Sequence, residues 1–172
     1  MNVLVTVAVA AVVALWGIAV YNRLVGLRKR VTRAWAALDE QLRRRHDLVL
    51  TLVNIVKGAS AFDADALAAV IAARSHASDA RGPADAGRQE GELTGALGRL
   101  LVLIEGHPSL AHHQQVRALL EGIAAADRPI GAARESYNAA AAAYNTAIQA
   151  VPGNVVAAVA GFHAASVFNC EL

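Results

Sequence analysis

The sequence predicts an all-α fold in which an N-terminal transmembrane helix continues into an up-down bundle of two long and two short helices. Residues 3–20 form an uncharged apolar run, and the apolar residues after it recur at helical intervals of three, four or seven. No stretch alternates as a β-strand does. The predicted segments are a transmembrane anchor (1–20), a cytoplasmic helical bundle (21–151) and an apolar, membrane-proximal tail (152–172).

The apolar run is long enough to be a membrane anchor. Its length as a helix is ~27 Å, close to the ~30 Å hydrocarbon core of a bilayer, and Thr6 is its one clearly polar side chain. A cleaved signal peptide is the alternative. The run is longer than a typical signal-peptide core, no basic residue precedes it, and Tyr21–Leu24 after it lack the small residues of a cleavage site.

Basic residues follow the run and none precedes it: Arg23, Arg28, Lys29, Arg30 and Arg33. Because positive residues stay on the cytoplasmic side, we expect a single-pass protein of the cell membrane with its N-terminus outside and its bundle in the cytoplasm. The same five residues are predicted to contact anionic phospholipid headgroups, although they could serve only to set the topology. Nucleic acid is not an expected partner, because no aromatic residues interleave with the charges and the rest of the chain is net acidic.

The bundle is predicted from apolar spacing and from helix start and stop signals. The first helix continues to about Lys57, and a second runs from the N-cap Asp63 to about Ala80. The stretch Arg81–Gly87 is expected to be a loop, and a third helix covers about Gln89–Glu105. The apolar seam of the first helix consists of Leu24, Leu27, Val31, Trp35, Leu38, Leu42, Val49, Leu52 and Val56.

A seven-residue repeat marks the long fourth helix. Its large residues are Val116, Ile123, Ile130, Tyr137, Tyr144 and Val151, and alanine stands three positions after most of them. Tyr137 and Tyr144 share this face, which predicts that they are packed or form an interaction face, and that they are not catalytic. Pro129 lacks a backbone N–H and is expected to kink or split the helix near Arg128.

The tail is predicted to be a short helix over residues 155–168, capped by Asn154 after a turn at Pro152–Gly153. Its small residues, Gly153, Ala157, Gly161 and Ala165, recur every four positions and would let helices approach closely. We expect the tail to associate with the membrane or with the same tail of neighbouring subunits. The alternative is that it folds back and completes the core of the bundle.

Two stretches of the sequence show residues in an order that is typical of one protein family. One is YNRLVGLRKRVTRAWAALDEQLRRRHDL at residues 21–48, followed by LV, VKG and Ala73–Arg74. The other consists of Tyr137–Asn138, Tyr144–Asn145, Ile148 and Pro152–Gly153–Asn154. Together these stretches resemble the LemA family of bacterial membrane proteins. The resemblance covers about residues 21–163 and implies a helical bundle anchored in a bacterial membrane. It implies little about activity, because the family has no agreed enzymatic function, although some relatives act in membrane remodelling.

The polar residues do not form a recognisable catalytic, cofactor or metal motif. None of the six histidines is spaced from a Cys, a Glu or another His as a helical metal site requires, so we predict no enzyme and no cofactor. His46 lies on the seam of the first helix and is predicted to be a hydrogen-bonded core or edge residue, with a pH-sensitive contact as the alternative. Arg43–Arg45 are expected to pair with nearby acidic residues or with those of a neighbouring helix or chain.

Two functions of different classes fit these observations. The first is a non-enzymatic, membrane-anchored scaffold that forms a homo-oligomer and organises or remodels the bilayer. The second is a regulatory adaptor that binds another membrane protein, such as a sensor or a protease.

Overall fold

The computed structural model describes residues 2–58 and 63–170. The first residue of the predicted anchor and the last two of the predicted tail therefore lie outside the described residues. The fold is all-helical, with 86% helix and no strand among the described residues. The helices are α1 (Asn2–Lys57), α2 (Ala64–Ser78), α3 (Pro83–Glu105), α4 (Pro108–Ala111), α5 (Gln114–Gln149) and α6 (Gly153–Ala160).

The first helix, α1, is continuous for 56 residues, as its apolar spacing predicts. Its N-terminal part is long and apolar enough to cross a membrane, and the most apolar window of that part has none of its residues buried within the chain. These are criteria of length and composition, which a signal sequence near an N-terminus also meets.

Helix α3 begins six residues earlier than predicted, so the expected loop at Arg81–Gly87 is largely helical. Gly82 is the N-cap and has a positive φ of 86°, and Pro83 occupies the first helical position, where its missing N–H costs nothing. The Arg81 backbone N–H donates to Asp85 Oδ2 at 3.0 Å, and this hydrogen bond holds the pKa of Asp85 below its usual value. The Gly-Pro pair thus begins a helix here and does not continue the turn.

Helix α5 runs through Pro129 without being split, so the predicted split near Arg128 is wrong, and the alternative of a kink stays a prediction. Pro129 is exposed, and so is Ala125, whose carbonyl loses its helical donor. Because water can reach both groups, the missing hydrogen bond is less costly than it would be in the core. The single-turn helix α4, which comes between α3 and α5, was not foreseen.

The tail is helical over a shorter stretch than predicted. Helix α6 ends at Ala160, and Gly161 follows with the left-handed φ of 69° that favours glycine. Residues 162–170 have no regular secondary structure, so the predicted helix to residue 168 is wrong. Asn154 is not the N-cap; Pro152 occupies that position, and Asn154 Oδ1 accepts from the Val155 N–H at 2.8 Å.

The chain divides into two compact units. Unit 1 comprises Met1–Ala34 and Ser136–Ala165. Its core is formed by Leu24, Tyr144, Ile148 and Ala157, with Val20, Leu27, Val31, Ala147, Val156, Phe162 and Ala165 packed around them. The end of the apolar run of α1, the end of α5 and one side of α6, through Val156 and Ala157, therefore share one small core.

Unit 2 comprises Trp35–Glu135 and Ser166–Leu172. Its core is aliphatic and is supplied by α1, α2, α3, α4 and α5, through Val49, Leu52, Val53, Val56, Leu67, Val70, Ala73, Ala77, Leu93, Ala96, Leu100, Ile104, Leu110, Val116 and Ile123. The C-terminal segment also packs here: Phe168 is buried and its ring lies 6.3 Å from that of Trp35. This part of the tail follows the fold-back alternative.

Candidate functional site

The five basic residues predicted to contact lipid are all exposed on α1. The apolar side of the same helical stretch, with Leu24, Leu27 and Val31, packs into the core of unit 1. At 100° per residue these three lie within about 60° of one another, and the basic residues occupy the remaining circumference. The charges of Arg23, Arg28, Lys29, Arg30 and Arg33 therefore face outward from unit 1.

Charge is divided unequally between the two units. Unit 1 holds these five basic residues and no Asp or Glu, a net charge of +5. Unit 2 holds the other eleven basic residues and all fourteen acidic residues, a net charge of −3. No acidic residue of unit 1 offsets its positive charge.

The predicted interaction face on α5 is built into the chain. Tyr137 and Tyr144 are 1% and 3% exposed, and burial raises the pKa of both phenols. Asn145, next to Tyr144, uses its side-chain amide twice: Nδ2 donates to the Ala165 carbonyl at 2.8 Å, and Oδ1 accepts from the Ala165 N–H at 2.8 Å. The Tyr-Asn pair thus holds both the core of unit 1 and the segment that follows α6.

The small residues of the tail serve close packing within the chain. A Cβ on Gly153 would overlap the Ala147 carbonyl oxygen at the end of α5, and Ala157 is 5% exposed in the core of unit 1. Gly161 ends α6 and is exposed. Pro152 and Asn154 lie at the start of α6, half-buried and exposed respectively. The expected ridge for contacts between subunits is therefore occupied, at its first two positions, by contacts inside unit 1.

Phe162 contributes a contact that the sequence did not reveal. Its ring centroid lies 5.7 Å from that of Tyr21 at a 59° tilt, and the Arg28 guanidinium carbon lies 6.0 Å from the same centroid. Both distances suit aromatic and cation–π attraction. Phe162 belongs to no periodic pattern in the Ala-rich tail, so this partner could not be inferred from the sequence.

Unit 2 contains a buried charged cluster consisting of Arg45, His46 and Glu90, each about 5% exposed or less. Arg45 Nη1 donates to Glu90 Oε2 at 3.4 Å, and the other Glu90 oxygen contacts His46 Nε2. Arg45 Nη2 donates to Thr94 Oγ1 at 3.2 Å and lies 3.6 Å from Asp127 Oδ1. The cluster joins α1, α3 and α5. Arg45 therefore faces acidic residues of neighbouring helices, which is one of the two pairings predicted for Arg43–Arg45.

Arg43, in the same run of arginines, pairs within its own helix. Arg43 pairs with Asp39 one turn away at 2.8 Å, on the surface. His46 is a buried, hydrogen-bonded residue, as predicted from its place on the seam. Glu90 was not foreseen, because it stands within what was predicted to be the first turn of α3 and has no sequence feature that marks it as buried.

Ser78 extends the cluster, since its Oγ lies 3.4 Å from His46 Nδ1. A Ser–His–Glu series has the chemical groups of a hydrolase triad. Ser78, however, is the last residue of α2, where the helix carries its partial negative charge. Such a field destabilises the oxyanion that a triad must generate, and the arrangement is better suited to holding α1, α2 and α3 together.

A cavity of about 20 Å³ adjoins the cluster, between Arg45, Asp127, Arg134 and Cys170. This volume is about that of one water molecule, and Arg45 Nε has no hydrogen-bond partner within the protein. Burial, and then the charge of Glu90, raise the pKa of the Cys170 thiol. Among the described residues, no three His, Cys, Asp or Glu side chains are grouped so that they could hold a metal ion.

Comparison with known proteins assigns a family but no close relative. The model of the family described as LemA matches residues 34–172. No curated protein matches the chain. The match begins at the end of the exposed basic stretch, so the apolar part of α1 and the five basic residues lie outside it.

Proposed function

This chain belongs to the LemA family, and we propose that it is a membrane-anchored scaffold without enzymatic activity. In this proposal it self-associates and organises or remodels the bilayer of a bacterial cell membrane. It crosses the membrane once, with the N-terminus outside and the remainder in the cytoplasm.

The proposal rests on the succession of two features along α1. The apolar window has no residue buried within the chain, and its surface valines and leucines are 57–78% exposed. So large an unpaired apolar surface requires a lipid or protein environment. Immediately after it come five exposed basic residues in a unit without acidic ones. This order of features fits a protein whose main ligand is an anionic bilayer.

Helical continuity supports a scaffold in particular. The same helix α1 supplies the apolar window, the core of unit 1 and the core of unit 2. Forces applied by neighbouring copies to the folded part are thus transmitted to the lipid-facing part through a continuous helix. A flexible tether would anchor a protein equally well but would transmit no such constraint.

Reconstitution of the full chain tests the proposal. The protein is inserted into vesicles of phosphatidylcholine with or without phosphatidylglycerol and imaged by electron microscopy, and its assembly mass is measured in native detergent extracts. We expect a uniform assembly and altered vesicle curvature on the anionic vesicles. The matched control carries Arg28→Gln, Lys29→Gln, Arg30→Gln and Arg33→Gln, which keep the helix and remove four of the five positive charges of unit 1. A monomer that leaves vesicle shape unchanged would contradict the proposal.

Topology is tested separately. In a Cys170→Ser background, Arg81→Cys places a thiol on the exposed turn between α2 and α3. We expect this thiol to resist a membrane-impermeant reagent in intact cells and to react after the cells are opened. Labelling in intact cells would contradict the cytoplasmic orientation.

An adaptor that binds another membrane protein is the second candidate. Its support is the acidic balance of unit 2, a net −3, which suits a basic partner more than an anionic membrane. A foreign protein recovered in fixed proportion after crosslinking in cells would favour this function over the scaffold.

A further inference from the structure

We propose that α6 is an interfacial helix whose valine face, defined as Val155 and Val159, lies among the headgroups and upper acyl chains of phospholipid. The leaflet is the one at which α1 leaves the membrane. This inference rests on the proposed function, because it requires α1 to span the bilayer, and it adds a second lipid-binding element to the anchor.

Helix α6 is apolar on opposite sides. Gly153 and Ala157 are buried in unit 1, whereas Val155 and Val159, about half a turn away from them, are 62% and 88% exposed. Val151, in the turn that precedes α6, is also exposed, at 79%. The one polar residue of the helix is Asn154, whose Oδ1 accepts from the backbone N–H of the next residue, Val155. A helix that is apolar all round belongs in a protein core or in a membrane, and only one side of α6 has a core.

The position of α6 beside the end of the apolar run of α1 indicates that lipid covers the valine face. Ala157 packs in one cluster with Leu24, and the cluster also includes Val20, at the end of the apolar run. Phe162, just after α6, contacts the ring of Tyr21. Within unit 1, therefore, α6 lies beside the residues at which α1 would leave the hydrocarbon core. Aromatic rings favour this depth in a bilayer.

Charge agrees with this placement. The valine face lies in the same unit as five exposed basic residues, Arg23, Arg28, Lys29, Arg30 and Arg33. Unit 1 has no acidic residue to repel an anionic headgroup. Apolar area and basic charge together determine how strongly an interfacial helix binds. With eight residues, α6 is ~12 Å long and cannot cross the membrane, so it would occupy area in one leaflet only.

Three exposed valines allow a matched experiment on the full chain. In a Cys170→Ser background, Val159→Cys on α6, Val12→Cys on the apolar part of α1 and Val102→Cys on α3 of the acidic unit are each labelled with a polarity-sensitive fluorophore. At all three positions the native valine is more than 60% exposed, so labelling should not disturb folding, which circular dichroism checks. Each protein is reconstituted in phosphatidylcholine–phosphatidylglycerol vesicles, with and without lipids that carry a nitroxide on the acyl chain.

We expect the label at position 159 to show a blue-shifted emission and to be quenched by the nitroxide lipids, as at position 12. The label at position 102 should show neither effect. If position 12 is quenched and position 159 is not, the inference is wrong while the anchor stands. If neither is quenched, the anchor and the inference fail together.

A second copy of the chain is the other possible occupant of the valine face. A blue shift at position 159 without quenching, together with efficient disulfide crosslinking between two copies of the unlabelled Val159→Cys variant, would identify that occupant and overturn the lipid assignment. A Val155→Asp, Val159→Asp variant completes the test. It should remain inserted through α1 and lose the effect on vesicle curvature, and unchanged curvature would contradict the inference.

Discussion

Replacing Glu90 by Gln is expected to destabilise unit 2 strongly. The substitution nearly preserves volume and leaves Arg45, which is 4% exposed, without its buried counter-charge. Removing one partner of a buried ion pair costs about 3–5 kcal/mol. Because Arg45 keeps the Thr94 hydroxyl at 3.2 Å and Asp127 at 3.6 Å, we expect the lower end of that range, about 3 kcal/mol.

Thermal unfolding of the full chain in detergent, followed by circular dichroism, measures this effect. At about 2–4 °C per kcal/mol for a chain of this size, the midpoint should fall by roughly 10 °C. The matched control is Asp39→Asn, which removes the partner of Arg43 in a surface ion pair. The side chain of Arg43 is 76% exposed. That surface pair should contribute about 0–1 kcal/mol.

The same reasoning predicts a rescue. A double variant, Arg45→Met with Glu90→Leu, removes both charges and fills the space with apolar groups. Since buried ion pairs can be replaced by packed apolar residues at little net cost, we expect this variant to be more stable than Glu90→Gln. If Glu90→Gln and Asp39→Asn proved equally mild, the cluster would not be electrostatically important, and the reasoning would be refuted.

Four further results are expected. Tyr144→Ala should cost on the order of 3 kcal/mol, because it empties the core of unit 1, and an unchanged melting temperature would show that the ring is not packed. Burial raises the pKa of Tyr137 above its usual 10.0. The stability that the neutral phenol contributes is therefore complete below the pKa of the unfolded chain and is lost as pH rises through the pKa of the folded chain. In melts recorded over a pH series, Tyr137→Phe should weaken this loss of stability at alkaline pH. Burial raises the pKa of Cys170, so its thiol should react with a disulfide reagent much more slowly in the folded chain than in urea, and equal rates would contradict this. Gly87→Ala should cost about 1–3 kcal/mol, since a Cβ there would overlap the backbone of the C-terminal segment, whereas Gly95→Ala, which meets open space, should be neutral or stabilising in a urea titration.

Local signals in the sequence were sufficient for most helix boundaries. The start of α2 after Asp63 followed from a side chain that accepts a hydrogen bond two residues on, and such capping depends only on near neighbours in the chain. The end of α1 at Lys57 followed in the same way from the end of its apolar pattern. The prediction failed at Pro83, because Gly-Pro serves either a turn or a helix start and only the surrounding chain selects between them.

The succession of an apolar run and a basic stretch along α1 is likewise a property of the sequence. The unburied run on α1 and the basic residues after it are consecutive, so no folding is needed to bring them together. The absence of acidic residues from unit 1 is different. It combines residues before 35 with residues after 135, and it became visible only when contacts defined that unit.

What tertiary structure alone decided is the pairing of residues far apart in the chain. Arg45 and Glu90 are 45 positions apart, and Asn145 bonds to Ala165 across the α5–α6 turn. Burial of a charge requires a partner that supplies the opposite charge from another helix, and sequence spacing does not encode which one does so. The tail shows the same limit: its composition marked residues 152–170 as apolar, but packing chose the face of Gly153 and Ala157 for the core and left the face of Val155 and Val159 open. A pattern of apolar residues specifies how much surface must be covered, whereas the positions of the other helices determine which surface is covered by the chain itself.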